Sequence, residues 1–168
     1  MFSNNHRLTA YWPAILLLLY GLLMSGQVKA WEFYDNKKDD IYVWGGTYTH
    51  FSNSESYRGA SWLLGAEVVK PNDHVYGLAL FNNSFDQFSQ YFFYGKVFRY
   101  KDTNFHGKIT GGLIHGYKGE HRDNLYFNEQ LGVAPVIVPG IGYQKNRWGI
   151  DLYLLATQRL LLGVGYQF

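Results

Sequence analysis

The sequence predicts an all-β protein, an eight-stranded antiparallel barrel of the outer-membrane type, on three observations. Aromatic residues make up 19% of the 168 residues and charged residues only 17%, below the roughly 25% charge of ordinary soluble domains. Beyond the amino-terminal region no segment offers the 18 or more apolar residues of a membrane helix, and only helices or closed barrels satisfy the backbone in lipid. Eight stretches of about ten residues with alternating character are separated by turn residues, which is the signature of a membrane barrel.

The amino terminus comes first. His6 and Arg7 precede an apolar run over residues 14–24, and Val28-Lys29-Ala30 places small or apolar residues at −3 and −1. This reads as a secretory signal peptide over residues 1–30, cleaved after Ala30, because the apolar run is too short to cross about 30 Å of hydrocarbon. Residues 31–168 then form the barrel domain. The leader takes Arg7 and Lys29 with it and leaves 13 basic against 13 acidic residues. A neutral chain carries no basic stripe, which argues against a nucleic-acid partner. The absence of Cys excludes thiolate metal sites, cysteine nucleophiles and a lipoprotein anchor.

The eight strands are expected at residues 40–51, 58–69, 74–81, 90–100, 104–117, 133–143, 148–156 and 159–168. The last is the cleanest, with Leu160, Leu162, Val164, Tyr166 and Phe168 on one face and Arg159, Gly163, Gly165 and Gln167 on the other. A terminal Phe168 is similar to the carboxy-terminal assembly signal of outer-membrane proteins. Pro71-Asn72-Asp73, Lys101-Asp102-Thr103 and Lys145-Asn146-Arg147 make short polar turns, whereas 52–57, 82–89 and 118–130 are longer connections. Short turns face the periplasm and long loops the exterior in bacterial barrels. A soluble lipocalin-like barrel or sandwich also uses eight strands, but it needs a polar outer face that the last strand lacks.

Eight strands enclose a packed interior or one small ligand, so bulk transport is not expected. An enzyme, a protein working through its outer loops and an inert structural barrel remain as classes. His50 closes the first strand at the outer rim, and Ser84 follows Asn82 and Asn83 where the third strand opens into its outer loop; together they offer a base and a nucleophile. His115 and His121 lack a spacing that would aim both at one ion, so no metal and no cofactor is expected. Pro135 and Pro139 fall in the sixth strand, where proline cannot donate to a ladder. They predict a gap in the wall suited to lateral admission of a lipid, or a strand that begins above the bilayer.

Asp40-Ile41-Tyr42 leading to Thr47-Tyr48-Thr49-His50, Phe81-Asn82-Asn83-Ser84, Tyr94-Gly95, Asn104-Phe105-His106, Arg122-Asp123-Asn124, the Pro135 and Pro139 strand and Gly142-Tyr143 together resemble the lipid A palmitoyltransferase family of the PagP type, as a divergent member. The resemblance covers nearly the whole of residues 31–168. It implies an eight-stranded outer-membrane enzyme, monomeric, that moves a palmitoyl chain from a glycerophospholipid donor to a lipid A acceptor. His50 and Ser84 take the family's His and Ser positions, and Asn83 stands at its Asp position; Asp86 is a nearby acid able to substitute. The resemblance also implies that Gly95 forms the floor of an acyl pocket. Arg122 in the large outer loop is a candidate contact for a lipid A phosphate. Two features depart from the family: only nine residues, 31–39, precede the first strand, with Trp31, Phe33 and Tyr34 as interfacial anchors, and Trp44-Gly45-Gly46 stands near the family's first-strand proline. A non-enzymatic barrel that stabilises the envelope or binds a partner, and a lipid A deacylase, are the competing readings.

Overall fold

Alternation decides the fold at the level of single strands. Each strand puts successive side chains on opposite faces, and closing eight of them gives every strand a partner on both sides. The computed structural model describes residues 33–50, 62–155 and 159–168, apart from the side chain of His50. The predicted leader, the loop 52–57, the first four residues of the predicted second strand and Trp31 lie outside the described residues.

The strands are β1 (Asp40–His50), β2 (Trp62–Val69), β3 (His74–Asn82), β4 (Phe88–Arg99), β5 (Phe105–His115), β6 (Val133–Lys145), β7 (Trp148–Leu155) and β8 (Arg159–Gln167). Each pairs antiparallel with the next, and β1 pairs with β8 from Tyr42 opposite Gln167 to His50 opposite Arg159, which closes the barrel. The predicted alternation is realised: Leu162 and Val164 of β8 face out, and Leu161, Gly163 and Gly165 face in. The 118–130 connection is more ordered than a plain loop. It carries a 3-10 turn (Gly119–Asn124) and one turn of helix, α1 (Asn128–Leu131).

The exterior carries Leu64, Phe92, Phe98, Ile109, Leu113, Ile141, Ile150, Leu162 and Val164, all exposed. At the short-turn end it closes in aromatic pairs, Phe105 with Tyr143 and Tyr166 with both Trp148 and Phe168. An apolar band edged by an aromatic girdle is the outer surface of a membrane-spanning barrel. A soluble barrel would present a far smaller contiguous apolar patch.

The lumen has two levels. Towards the short-turn end lies a buried polar network on β1, β2, β5 and β7. Lys108 Nζ donates to Glu67 Oε1 at 2.5 Å and to the Tyr153 hydroxyl at 3.1 Å, and it lies over the rings of Tyr42 and Tyr153. His106 Nε2 is 2.9 Å from Asp151 Oδ1, and the Tyr42 hydroxyl donates to Asp151 Oδ2 at 2.9 Å. Gly142 leaves room for this cluster, since a Cβ there would collide with Asp151 Oδ1 and the His106 ring. Towards the long-loop end the lining turns apolar, with Trp44 stacked on Tyr153 and Tyr91 on Phe93.

A laterally open apolar cavity as the candidate functional site

The apolar level encloses a cavity of about 120 Å³. Inward residues of every strand contribute: Trp44 and Tyr48 from β1, Ala79 and Phe81 from β3, and Val136 and Val138 from β6 are representative, while Glu67 and Lys108 form its floor. Tyr117 and Leu125 of the long outer loop close it from above.

Its wall is incomplete. The β6 to β7 ladder runs from Lys145 opposite Trp148 to Gly140 opposite Tyr153 and goes no further, although β7 continues to Leu155. Above Gly140, among the described residues, β6 is paired with β5 alone, through Pro139 opposite Ile109 up to Val133 opposite His115. This stretch contains both prolines, and proline is tolerated where a strand is locally an edge. Ile137, outward-facing and 73% exposed, nevertheless belongs to the cavity lining. The cavity wall thus includes the stretch of β6 that has no β7 partner among the described residues.

The rim residues divide. Asn83 and Ser84 are buried in the connection between β3 and β4. Asn83 spends its side chain on that connection: Oδ1 accepts from the backbone N–H groups of Phe85 at 2.9 Å and Gln87 at 3.1 Å, and Nδ2 donates to Ser89 Oγ at 3.2 Å and to Gln87 Oε1 at 3.4 Å. An amide so engaged holds the loop, with both of its N–H groups spent inside it. The Ser84 side chain is within hydrogen-bonding reach of the Tyr48 hydroxyl, which itself donates to the Asn82 carbonyl at 2.9 Å. His50 ends β1 opposite Arg159, and its side chain lies outside the described residues. Asp86 turns to the Asn82 amide at 2.9 Å.

Two other expected site residues stand apart from the cavity. Gly95 faces inward between Phe93 and Val97 but is not part of the cavity lining. A Cβ there would collide with the Ile109 carbonyl oxygen, so glycine answers the close approach of β4 and β5, and the floor is made by Glu67 and Lys108 instead. Arg122 is exposed on the 3-10 turn and donates to the Glu129 carbonyl at 3.0 Å. His121 stacks on Phe85 with ring centroids 3.8 Å apart, and Gln87 exchanges two hydrogen bonds with the backbone of Lys118, which ties the two outer loops together over the mouth.

Glu67, Lys108 and Asp151 belong to no motif and escape a reading of the sequence by motif. A signal exists in each case: a lone charge inside a strand, on the parity that faces the lumen, between apolar neighbours that face lipid.

No protein-family model and no curated protein matches the chain. Among solved structures, it is similar to a de novo designed transmembrane β-barrel at 12% identity, with 80% of this chain and 98% of that chain covered and a TM-score of 0.51. The N-terminal β-barrel domain of Pseudomonas aeruginosa OprF matches at 12% identity over 77% of this chain and 97% of that chain, with a TM-score of 0.42. Yersinia pestis outer membrane protein Ail matches at 16% identity over 78% of this chain and 100% of that chain, with a TM-score of 0.44. At such identities the likeness is one of fold. The closed topology and the apolar exterior, with the fold of the designed transmembrane barrel beside them, define an eight-stranded antiparallel barrel of the outer-membrane type.

Proposed function

We propose that this barrel draws one acyl chain of a glycerophospholipid from the membrane into its lumen and transfers it to lipid A at the outer rim, as the resemblance to the lipid A palmitoyltransferases implies. The observation that carries the reading is the apolar cavity walled in part by the stretch of β6 that lacks a β7 partner among the described residues, which we take as the entry for lipid. An unpaired strand edge facing hydrocarbon costs several kcal/mol per orphaned backbone group, and admission of lipid gives that opening a purpose. A leader cleaved after Ala30 would deliver the chain to the outer membrane.

Size sets a limit on the chain. A cavity of about 150 Å³ holds benzene, so one of about 120 Å³ takes roughly half a dozen carbons, the inner part of a chain whose remainder lies in the mouth and the seam. Burial of each methylene contributes about 0.8 kcal/mol. A full palmitoyl chain therefore needs the mouth and the seam as well as the cavity.

In the transfer, the lipid A hydroxyl oxygen attacks the ester carbonyl of the donor. A new ester C–O bond forms, the bond to the glycerol oxygen breaks, and the proton passes through His50 as general base to the departing oxygen, leaving a lysophospholipid. Ser84 polarises the carbonyl by turning its single O–H from the Tyr48 oxygen to the ester, and Asn83 fixes the loop that carries Ser84. Arg122 would meet a lipid A phosphate by giving up its bond to Glu129.

A second reading, a non-enzymatic barrel that stabilises the envelope or binds a partner, is favoured by the engagement of Asn83 within its own loop and by an amide where the family has a carboxylate. Mass spectrometry of lipid A from cells with and without the protein separates these. One added acyl chain, lost in Ser84→Ala, is the expected result. One chain fewer indicates a deacylase, and unchanged lipid A indicates the non-enzymatic barrel.

A further inference from the structure

The long outer loop carries a second surface that the acyl site does not use. Its first half, the 3-10 turn, presents Glu120, Arg122, Asp123 and Asn124, all exposed. Its second half presents Tyr126 at 89%, Phe127 at 59% and Leu131 at 67% exposure, with no charged residue before Glu129. Polar and apolar halves are locked to each other, because the buried Asn128 donates from Nδ2 to the Tyr117 carbonyl at 3.0 Å and to the Arg122 carbonyl at 2.9 Å. Phe127 is held at φ 66°, a left-handed backbone that a bulky side chain rarely adopts, so the exposure of this ring is imposed by the fold.

The height of the patch identifies what meets it. The outward row of β6 is Pro135, Ile137, Pro139, Ile141 and Tyr143, and Tyr143 belongs to the aromatic girdle of the short-turn end. An apolar band about 25 Å tall, crossed by a strand tilted about 40° and rising about 3.3 Å per residue, needs about ten residues. Counted up from Tyr143, that reaches Val133, immediately after Leu131 and Gly132. The patch therefore continues the lipid-facing row of β6 at the level of the opposite membrane interface.

Among the described residues, the strands leave that interface without aromatic side chains on this side. Trp62 on β2 and Phe88 on β4 supply exposed rings near the long-loop end, whereas the long-loop ends of β5 to β8 offer Leu113, His115, Val133, Pro135, Leu154, Leu160 and Leu162. Aromatic side chains belong at both interfaces of a membrane barrel. We infer that Tyr126, Phe127 and Leu131 complete the girdle from the loop and rest in the outer leaflet, with the charged 3-10 turn held in water. Leu125, adjacent in the chain, lines the cavity, so the segment that meets the leaflet also covers the mouth. This contact needs no acyl transfer and stands whether or not the rim is catalytic.

The chain has no cysteine, which makes single-site labelling direct. Tyr126→Cys, Leu131→Cys and Asp123→Cys, each carrying a nitroxide, are compared in vesicles of phosphatidylcholine and phosphatidylglycerol for relaxation by oxygen, which partitions into lipid, and by a water-soluble nickel chelate. Labels at 126 and 131 are expected to favour oxygen over nickel by several-fold more than the label at 123. A contrast at 126 and 131 no greater than that at 123 overturns the inference. Dipolar broadening between labels at 126 together with nickel access assigns the patch to a second copy of the chain and overturns it equally. All three sites are exposed, and the folded state of each variant is checked by its circular dichroism.

Discussion

The two levels of the lumen are built on opposite principles. Around Lys108 every charge has a partner within hydrogen-bonding distance, and the pairs bind β2 to β5, β5 to β7 and β1 to β7 across the barrel. Above it the lining is apolar and leaves about 120 Å³ unfilled, and the wall itself parts at the β6 to β7 seam. The charged ties are concentrated below the gap in the ladder, where the β6 to β7 pairing is complete. The charged ties and the candidate site lie at different heights along the barrel axis, and each can be attacked alone.

The largest effect is expected at the lower level. Lys108→Met leaves Glu67 buried and uncompensated, and breaking a buried pair in this way costs about 3–5 kcal/mol. Adding Glu67→Leu removes the orphaned charge and should return stability to near the starting value or above it. Urea unfolding in detergent micelles measures both. A loss below about 1 kcal/mol in the single variant would mean that the pair is not desolvated, and the contrast between the levels would fail.

Filling the upper level is the intermediate case. Ala79 is buried and lines the cavity, so Ala79→Leu puts an isobutyl group where a methyl stands. Added methylenes that occupy empty space contribute up to about 2 kcal/mol of stability at about 0.8 kcal/mol each, against the roughly 1–3 kcal/mol that overpacking costs where there is no space. The expected outcome is an unchanged or raised unfolding midpoint together with loss of the acyl lipid that the proposed function expects native mass spectrometry to find on the wild-type barrel. Lipid retained on a stabilised variant would place the chain outside the cavity.

How much of this is legible in the sequence follows from the range of the interactions. Strand positions are local, and period-two alternation locates all eight; β8 displays its lipid row in the bare order of residues from Leu160 to Phe168. The prolines of β6 announce an irregular wall, because a missing N–H is a property of the residue itself. The charged network is illegible as a network: Glu67 and Lys108 are 41 residues apart and His106 and Asp151 are 45 apart, and only closure of the sheet brings them together. Gly95 misleads because a glycine among bulky neighbours reads equally as space made for a ligand or space made for a backbone. The approach of the Ile109 carbonyl decides for the backbone. Asn83 carries a similar ambiguity, since amides at strand ends serve loops as readily as catalysis.

The smallest effect on stability, and the sharpest on chemistry, is expected from Asn83→Asp. The carboxylate keeps the two bonds that Oδ1 accepts from the Phe85 and Gln87 amides, and these strengthen when the acceptor is charged. It loses the donor to Gln87 Oε1, a long contact at 3.4 Å, and cannot relieve the clash by turning that amide, because Gln87 already holds Lys118 with both of its ends. Ser89 loses a donor as well, yet its hydroxyl can turn from the Gln87 carbonyl to the new carboxylate. Gains and losses of about 1 kcal/mol each leave the folded barrel within about 1–2 kcal/mol of its starting stability. The chemistry should respond more strongly. If the rim works as proposed, a buried carboxylate beside Ser84 supplies the charge that an imidazolium at His50 calls for, so the rate of acyl transfer to lipid A is expected to rise in Asn83→Asp and to be lost in Asn83→Asp with Ser84→Ala. A rate unmoved by the carboxylate, in a barrel that remains folded, would mean that position 83 serves the loop alone and that the rim has no charge relay to complete.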